Sequence, residues 1–260
     1  MTPWQSELIA RAQAAFEPDE RIRAAYLSGS LARDTGDEWS DVDFLIVARN
    51  DALPALIADA PALVSKIDET IYLKTIFGRV VNAITPDWRR FDLAFVTESE
   101  LPSRPGDGLR LLFSHTDARP TGKHPSEPNR LADNILEFIR VLGLSPLGAG
   151  RGEYAVMVDG AMILRRILIE MMLDENGVTQ ADRGGALKLY PFLTPEQRAA
   201  LEAIPAIQAS KESVLTASIH IAHAFFPRAK RLAAAHNIAW PSAMEDAMRA
   251  HLKRTLNITL

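Results

Sequence analysis

Every strand-like run in this chain lies before Pro102, and every long apolar periodicity beyond Pro128 has helical spacing. A chain with that single break must build its sheet from the first half alone. The second half is left to helix-on-helix packing. Trp4, Leu8, Ile9, Ala12 and Phe16 predict a first helix, closed by Pro18-Asp19. Ile22 to Ser28 and Asp41 to Ala48 read as strands, the second through the dense run Phe44-Leu45-Ile46-Val47. Leu53 to Ile67 returns to helical spacing, with Pro61 in its middle. Ile71 to Phe77 and Val80 to Ile84 form a hairpin about Gly78, and Phe91 to Val96 reads as a further strand. Between Pro102 and Pro128, with Pro105, Pro120 and Pro125, the pattern is that of a loop. Helices follow at Asn129 to Leu142, Gly152 to Leu173, Thr194 to Ile204, Ser210 to His236 and Ala243 to Leu256. Thr194-Pro195-Glu196-Gln197 reads as an N-cap followed by Pro at the first helical position, and Pro227 is expected to kink or split its helix. The expected class is therefore α+β: residues 1–127 form a mixed sheet with flanking helices, and residues 128–260 form an all-helical domain.

At 260 residues the chain can bury enough surface to fold without disulfides or a structural metal. There is no Cys, which removes thiolate metal sites and cysteine nucleophiles and fits a cytoplasmic location. No run is apolar enough to span a bilayer, and Met1 to Phe16 is amphipathic rather than a signal peptide. A net charge of −4 and a pI near 5.9 argue against a nucleic-acid partner, which would ask for a basic stripe.

The chemistry concentrates between Leu27 and Phe44. A strand runs into Gly29-Ser30, a short polar segment follows, and Asp41-x-Asp43 opens the next strand. Strand alternation puts Asp41 and Asp43 on one face, and two adjacent carboxylates ask for a counter-charge. Mg²⁺ suits such hard oxygen ligands. A third acid, Asp92, sits alone in the strand pattern Arg90-Phe91-Asp92-Leu93-Ala94. If that strand lies beside the first, three carboxylates converge, as phosphoryl transfer with two metal ions requires. Gly29 has no Cβ to keep a phosphate away, Ser30 can hydrogen-bond one, and Arg33 can grip one with its planar fork.

The segment from Gly29-Ser30-x-x-Arg33 to Ser40-Asp41-x-Asp43 resembles the nucleotidyltransferase superfamily that includes polymerase β. Within it, the segment is similar to the antibiotic-modifying aminoglycoside and lincosamide nucleotidyltransferases. A weaker likeness extends through Pro128-Asn129-Arg130-Leu131 and Arg151-Gly152-Glu153-Tyr154-Ala155. The resemblance implies a catalytic domain followed by a helical bundle that walls the substrate cleft. It implies that Asp41 and Asp43 bind the metals, and that Asp92 is a third ligand or the base. Gly29, Ser30, Arg33 and Ser40 would serve the triphosphate. Glu153 is the alternative base on the substrate side, set against a structural role facing a helix dipole. Some relatives build the cleft across a dimer, so a homodimer is implied as well.

The sequence reading is thus a nucleotidyltransferase that uses two Mg²⁺ ions. It would move a nucleoside monophosphate, AMP from ATP in the first instance, to a hydroxyl of a small molecule of lincosamide or aminoglycoside type. Two alternatives stand beside it: an antitoxin-like nucleotide-binding protein without turnover, and a nucleotidyltransferase directed at nucleic acid. Met157, Met162, Met171 and Met172 read as helical core, and Arg165 and Arg166 as snorkelling side chains or partners of Glu170.

Overall fold

The computed structural model describes residues 1–123, 130–179 and 188–260. The chain forms two compact units, Met1–Pro125 and Ser126–Leu260. The boundary expected between 127 and 128 lies outside the described residues, as do Pro125, Pro128 and Asn129.

The first unit opens with α1 (Pro3–Phe16), β1 (Ile22–Ser28), α2 (Gly29–Ala32) and β2 (Val42–Ala48). It continues through α3 (Leu53–Ala58), α4 (Ala60–Val64), β3 (Tyr72–Ile76), β4 (Val80–Ile84), β5 (Arg90–Thr97) and β6 (Arg110–Ser114). The strands form one sheet in the order β3-β4-β5-β2-β1-β6. β2 and β5 are parallel, and every other neighbouring pair is antiparallel.

Alternation sorts the two faces. Val42, Phe44 and Ile46 of β2 and Phe91, Leu93 and Phe95 of β5 join Leu8, Ala12 and Phe16 of α1, Leu56 of α3 and Leu63 of α4 in one core. Each of the large side chains buried there contributes about 1.5–3 kcal/mol. The other face carries a smaller cluster of Ala24, Tyr26, Leu45, Val47, Val96 and Leu101. It leaves Asp43, Asn82, Arg90 and Asp92 only partly covered.

Gln5 fastens the start of α1 to the loop before β2. Its Oε1 accepts from the Thr2 backbone N–H (2.7 Å), and its Nε2 donates to the carbonyls of Asp37 and Ser40 (both 2.9 Å). A fully buried amide satisfied on both sides costs little and holds the chain rigidly just ahead of Asp41.

The structure departs from the sequence expectations at several points. The helix expected over Leu53 to Ile67 is two short helices, parted at Asp59 ahead of Pro61, whose ring cannot continue a helix. The 102–128 segment is not all loop, because it contains β6. That edge strand pairs only with β1 and buries only Phe113 fully, so it carries no strong alternation. The hairpin expected at Gly78 is present. Phe77 (φ 50°) and Gly78 (φ 68°) both lie in the left-handed region, as a tight hairpin turn matching the sheet twist demands.

In the second unit, α5 (Arg130–Gly143), α6 (Ser145–Arg151) and α7 (Tyr154–Glu175) are followed by α8 (Pro195–Glu202), α9 (Lys211–Ala235) and α10 (Ser242–Leu256). Gly152, expected to open a helix, instead ends α6 in the left-handed region (φ 71°), and α7 starts afresh behind Glu153. Pro227 does not split α9, which runs unbroken from 211 to 235. Its ring lies on the exposed side of that helix. Thr194 caps α8 as expected, with its Oγ1 accepting from the Gln197 N–H (3.2 Å). Met157, Met171 and Met172 are buried, but Met162 faces outward. Glu170 accepts from Arg130 (3.2 Å), a partner on α5 that helical spacing within α7 could not reveal. Among the described residues, no helix is long and apolar enough to cross a membrane.

The helical core is centred on three rings. Phe138 stacks on Phe225 with centroids 3.6 Å apart, and Phe226 meets both edge-on at 5.7 Å. Phe138→Ala empties a fully buried position. It is expected to destabilise the second unit by about 3–5 kcal/mol, read from the shift of its urea unfolding midpoint.

Candidate active site

The parallel register of β2 and β5 assembles the site. Val42 lies opposite Phe91 and Asp43 opposite Asp92. One residue before Val42, Asp41 reaches the Arg90 guanidinium (3.4 Å). The two strands thus present Asp41-x-Asp43 beside Arg90-x-Asp92, with acid against base at one step and acid against acid at the next. On the other side of β5, Asn82 of β4 is in register with Asp92 and donates its Nδ2 to the carboxylate (2.7 Å).

Asp43 also pairs across the sheet with Ser28, the last residue of β1. The chain turns there into Gly29 at φ 67°, and the Asp43 carboxylate packs straight onto it. A Cβ at position 29 would stand 2.0 Å from Asp43 Oδ2. Glycine is required on two counts, since the left-handed backbone and the close approach each exclude a side chain.

The electrostatics follow from this crowding. Burial, and then the charges of Asp41 and Asp92, push the Asp43 carboxyl up to about 7, against the pull of Arg33 and Arg90. Asp92 is raised as well, by burial first. The Asn82 hydrogen bond opposes that rise and the Asp41 charge adds to it. Asp43 therefore feels the charges of Asp41 and Asp92, Asp92 feels that of Asp41, and Arg33 and Arg90 do not fully compensate them.

The donor set suits a hard divalent cation in charge and chemistry. Among the described residues, however, no three acidic, histidine or cysteine groups are gathered closely enough to hold one ion. Asp41 stands beside Arg90, and Asp92 is held by Asn82.

The other expected residues sit around this edge in different ways. Ser30 lies in α2, where its carbonyl accepts from the Thr35 N–H (3.0 Å). Arg33 follows α2 and lies along the backbone of Gly108 (φ 80°), where a Cβ would come 3.1 Å from its Nη1. Ser40 is buried and its hydroxyl is engaged locally, accepting from the Asp37 N–H and donating to the Asp37 carboxylate (both 2.9 Å). Glu153 belongs to the second unit. It precedes α7 with an exposed carboxylate that makes no capping hydrogen bond.

Sequence reasoning passed over Arg90, Asn82, Gln5 and Gly108. Arg90 carried a signal, because the spacing Arg90-x-Asp92 repeats Asp41-x-Asp43 and aligns with it once the two strands are taken as parallel. Asn82 is marked only as a polar residue at an inner position of a strand. Gln5 and Gly108 carry no local signal, since both act on segments far away in the chain.

Residues 10–87 match the family model described as nucleotidyltransferase domain, a span that includes Gly29 to Asp43 and ends before Asp92. The matched span lies within the first unit. No curated protein sequence matches the chain. An aminoglycoside 6-adenyltransferase from Bacillus subtilis is similar in structure, at 15% identity and a TM-score of 0.43, over 96% of this chain and 98% of that one. The spectinomycin adenyltransferase AAD(9) from Enterococcus faecialis, solved with ATP and spectinomycin, is 12% identical at a TM-score of 0.36, over 86% and 99% of the two chains. The CdnE cyclic dinucleotide synthase of Elizabethkingia meningoseptica is 13% identical at 0.30, over 97% and 90%.

Two outcomes are expected from this geometry. An Asp43 carboxyl raised to about 7 keeps its proton in the native state at pH values where the unfolded chain has lost it. Stability therefore falls as pH rises from about 4 to about 7, and the penalty is complete above that. In the presence of EDTA, Asp43→Asn is expected to stabilise the protein at pH 8, by at most ~4 kcal/mol, and to have little effect near pH 4. Denaturant titrations at the two pH values measure the difference. Gly29→Ala is expected to cost about 1–3 kcal/mol of stability and to move the Asp43 carboxylate, seen as a changed titration of that carboxyl by NMR.

Proposed function

We propose that the nucleotidyltransferase domain of this chain transfers a nucleoside monophosphate, AMP from ATP, to a hydroxyl of a small molecule. In the reaction the acceptor oxygen bonds to the α-phosphorus, the bond to the bridging oxygen breaks, and pyrophosphate leaves with the electron pair. The observation that carries this reading is the meeting of Asp41, Asp43 and Asp92 at one sheet edge, where burial first and then the charges of Asp41 and Asp92 push the Asp43 carboxyl up to about 7. Stability alone gives no reason to gather three acids there.

Asp41, Asp43 and Asp92 are the carboxylates that would hold two Mg²⁺ ions, shared out between the ions, since the three are not gathered around a single point. When bound, such ions neutralise a triphosphate and make an acceptor hydroxyl easier to deprotonate. Asp92 takes the acceptor proton, and Asn82 keeps that carboxylate oriented toward it. Gly29 allows phosphate oxygens to approach the backbone, and Ser30 offers a hydroxyl. Arg33 supplies a guanidinium whose charge already acts on Asp43. Ser40 serves the nucleotide indirectly, by bracing the 37–40 loop that carries Asp41. Glu153 is the candidate polar contact for the acceptor, and the acceptor is a molecule of lincosamide or aminoglycoside type. A cytoplasmic homodimer is the assembly that fits this reading.

Pyrophosphate release from ATP and Mg²⁺, with a panel of hydroxylated small molecules, tests the proposal. Asp41→Asn and Asp92→Asn are each expected to lower turnover by ~100-fold or more. Full activity in either variant overturns the assignment.

A further inference from the structure

The second unit contains a cavity of about 380 Å³ between α5, α6, α7 and α9. That lies at the small end of the ~300–1,000 Å³ range of small-molecule sites. Its wall is formed by Val141, Leu147, Val156, Met157, Leu164 and Val214. Leu164 and Val214 are buried, whereas Val156 is 62% exposed and Leu147 44% exposed. Large apolar side chains kept at a mouth, rather than folded into the core, mark a surface that gains by being covered.

The charges around the mouth are few and nearly balanced. Arg140 is held by Glu137 through two bonds of 2.7 Å. That leaves Arg151 and Glu153, of opposite sign and two residues apart. A molecule with several positive charges would find one free carboxylate beside an arginine, and would lose hydration against aliphatic walls. A mainly apolar molecule carrying hydroxyl or carbonyl groups can bury its body on the walls. Its polar end can then donate to Glu153 and accept from Arg151.

We infer that this cavity binds a largely apolar, hydroxylated small molecule carrying at most one charge, and that it excludes polycations. The further step, that this molecule is the transfer acceptor, rests on the function proposed above. On that reading the acceptor is of the weakly charged kind.

Binding to the full chain, without ATP or Mg²⁺, separates the two claims. The probe is N-phenyl-1-naphthylamine, a neutral apolar dye whose fluorescence rises on burial. Gly160 lines the cavity from α7, and a Cβ there meets nothing closer than Val141 Cγ1 at 4.0 Å. Gly160→Leu therefore fills the space while suiting the helix, and Val156→Asp puts a charge on an already exposed position. Saturable binding is expected, weakened by about tenfold or more in both variants while the melting temperature holds within a few degrees. Octyl glucoside below its micellar concentration is expected to displace the dye, and neomycin to leave it in place. Absence of saturable binding, indifference to Gly160→Leu, or displacement by neomycin each overturns the inference. Dye release that follows dimer formation in sedimentation also overturns it, since a second copy would then be the occupant. Asp41→Asn leaves dye binding intact whether or not transfer occurs, so a failure of the proposed reaction is read separately.

Discussion

The parallel pairing of β2 with β5 is the constraint on which the site depends. It places Asp43 opposite Asp92 and brings Asp41 to Arg90. A shift of one residue in that register would turn Asp92 into the core beneath the sheet and bring Phe91 or Leu93 to the polar edge. Phe91, Leu93 and Phe95 are packed with Val42, Phe44 and Ile46, so the hydrophobic face holds the register and the opposite face inherits it. The carboxylates are positioned by apolar residues whose side chains pack on the opposite face of the sheet.

That arrangement carries a cost. Asp43 and Asp92 resist ionisation at this edge, and the Asp43 carboxyl shows it most, through its burial first and then the charges of Asp41 and Asp92. Arg33, Arg90 and Asn82 offset part of the cost without cancelling it. The sheet core beneath, together with the Gln5 tie between α1 and the 37–40 loop, keeps the edge from relaxing. Stability is supplied on one face and used on the other, a division typical of sites built on rigid strands.

Much of the frame was legible from local pattern. β1 falls on the predicted residues, α1 and β2 within one residue of their expected ends, and the β3–β4 hairpin turns at Gly78 as expected. These segments bury one face, so their periodicity is written in the apolar residues themselves. β6 was not legible, because an edge strand that fully buries one residue has little pattern to show. The division of α6 from α7 hinged on the left-handed backbone of Gly152, which the same residue could equally have lacked. Pro227 does not split its helix, for a different reason. A proline on the outer side of a long helix loses one hydrogen bond, and the packing of Phe225, Phe226 and Ala229 on the inner side carries the helix through.

By itself the sequence determined the break between a mixed sheet and a helical half. It also determined the placement of Gly29, Asp41, Asp43 and Asp92 at strand ends, because strand alternation and turn chemistry are local. Only the tertiary structure decided that Arg90 and Asn82 stand beside those acids, that Ser40 is absorbed by its own loop, and that helices far apart in the chain enclose an apolar cavity. Those facts depend on strand order, register and helix packing. Such properties arise from contacts between segments that are distant in sequence, and no local pattern encodes them.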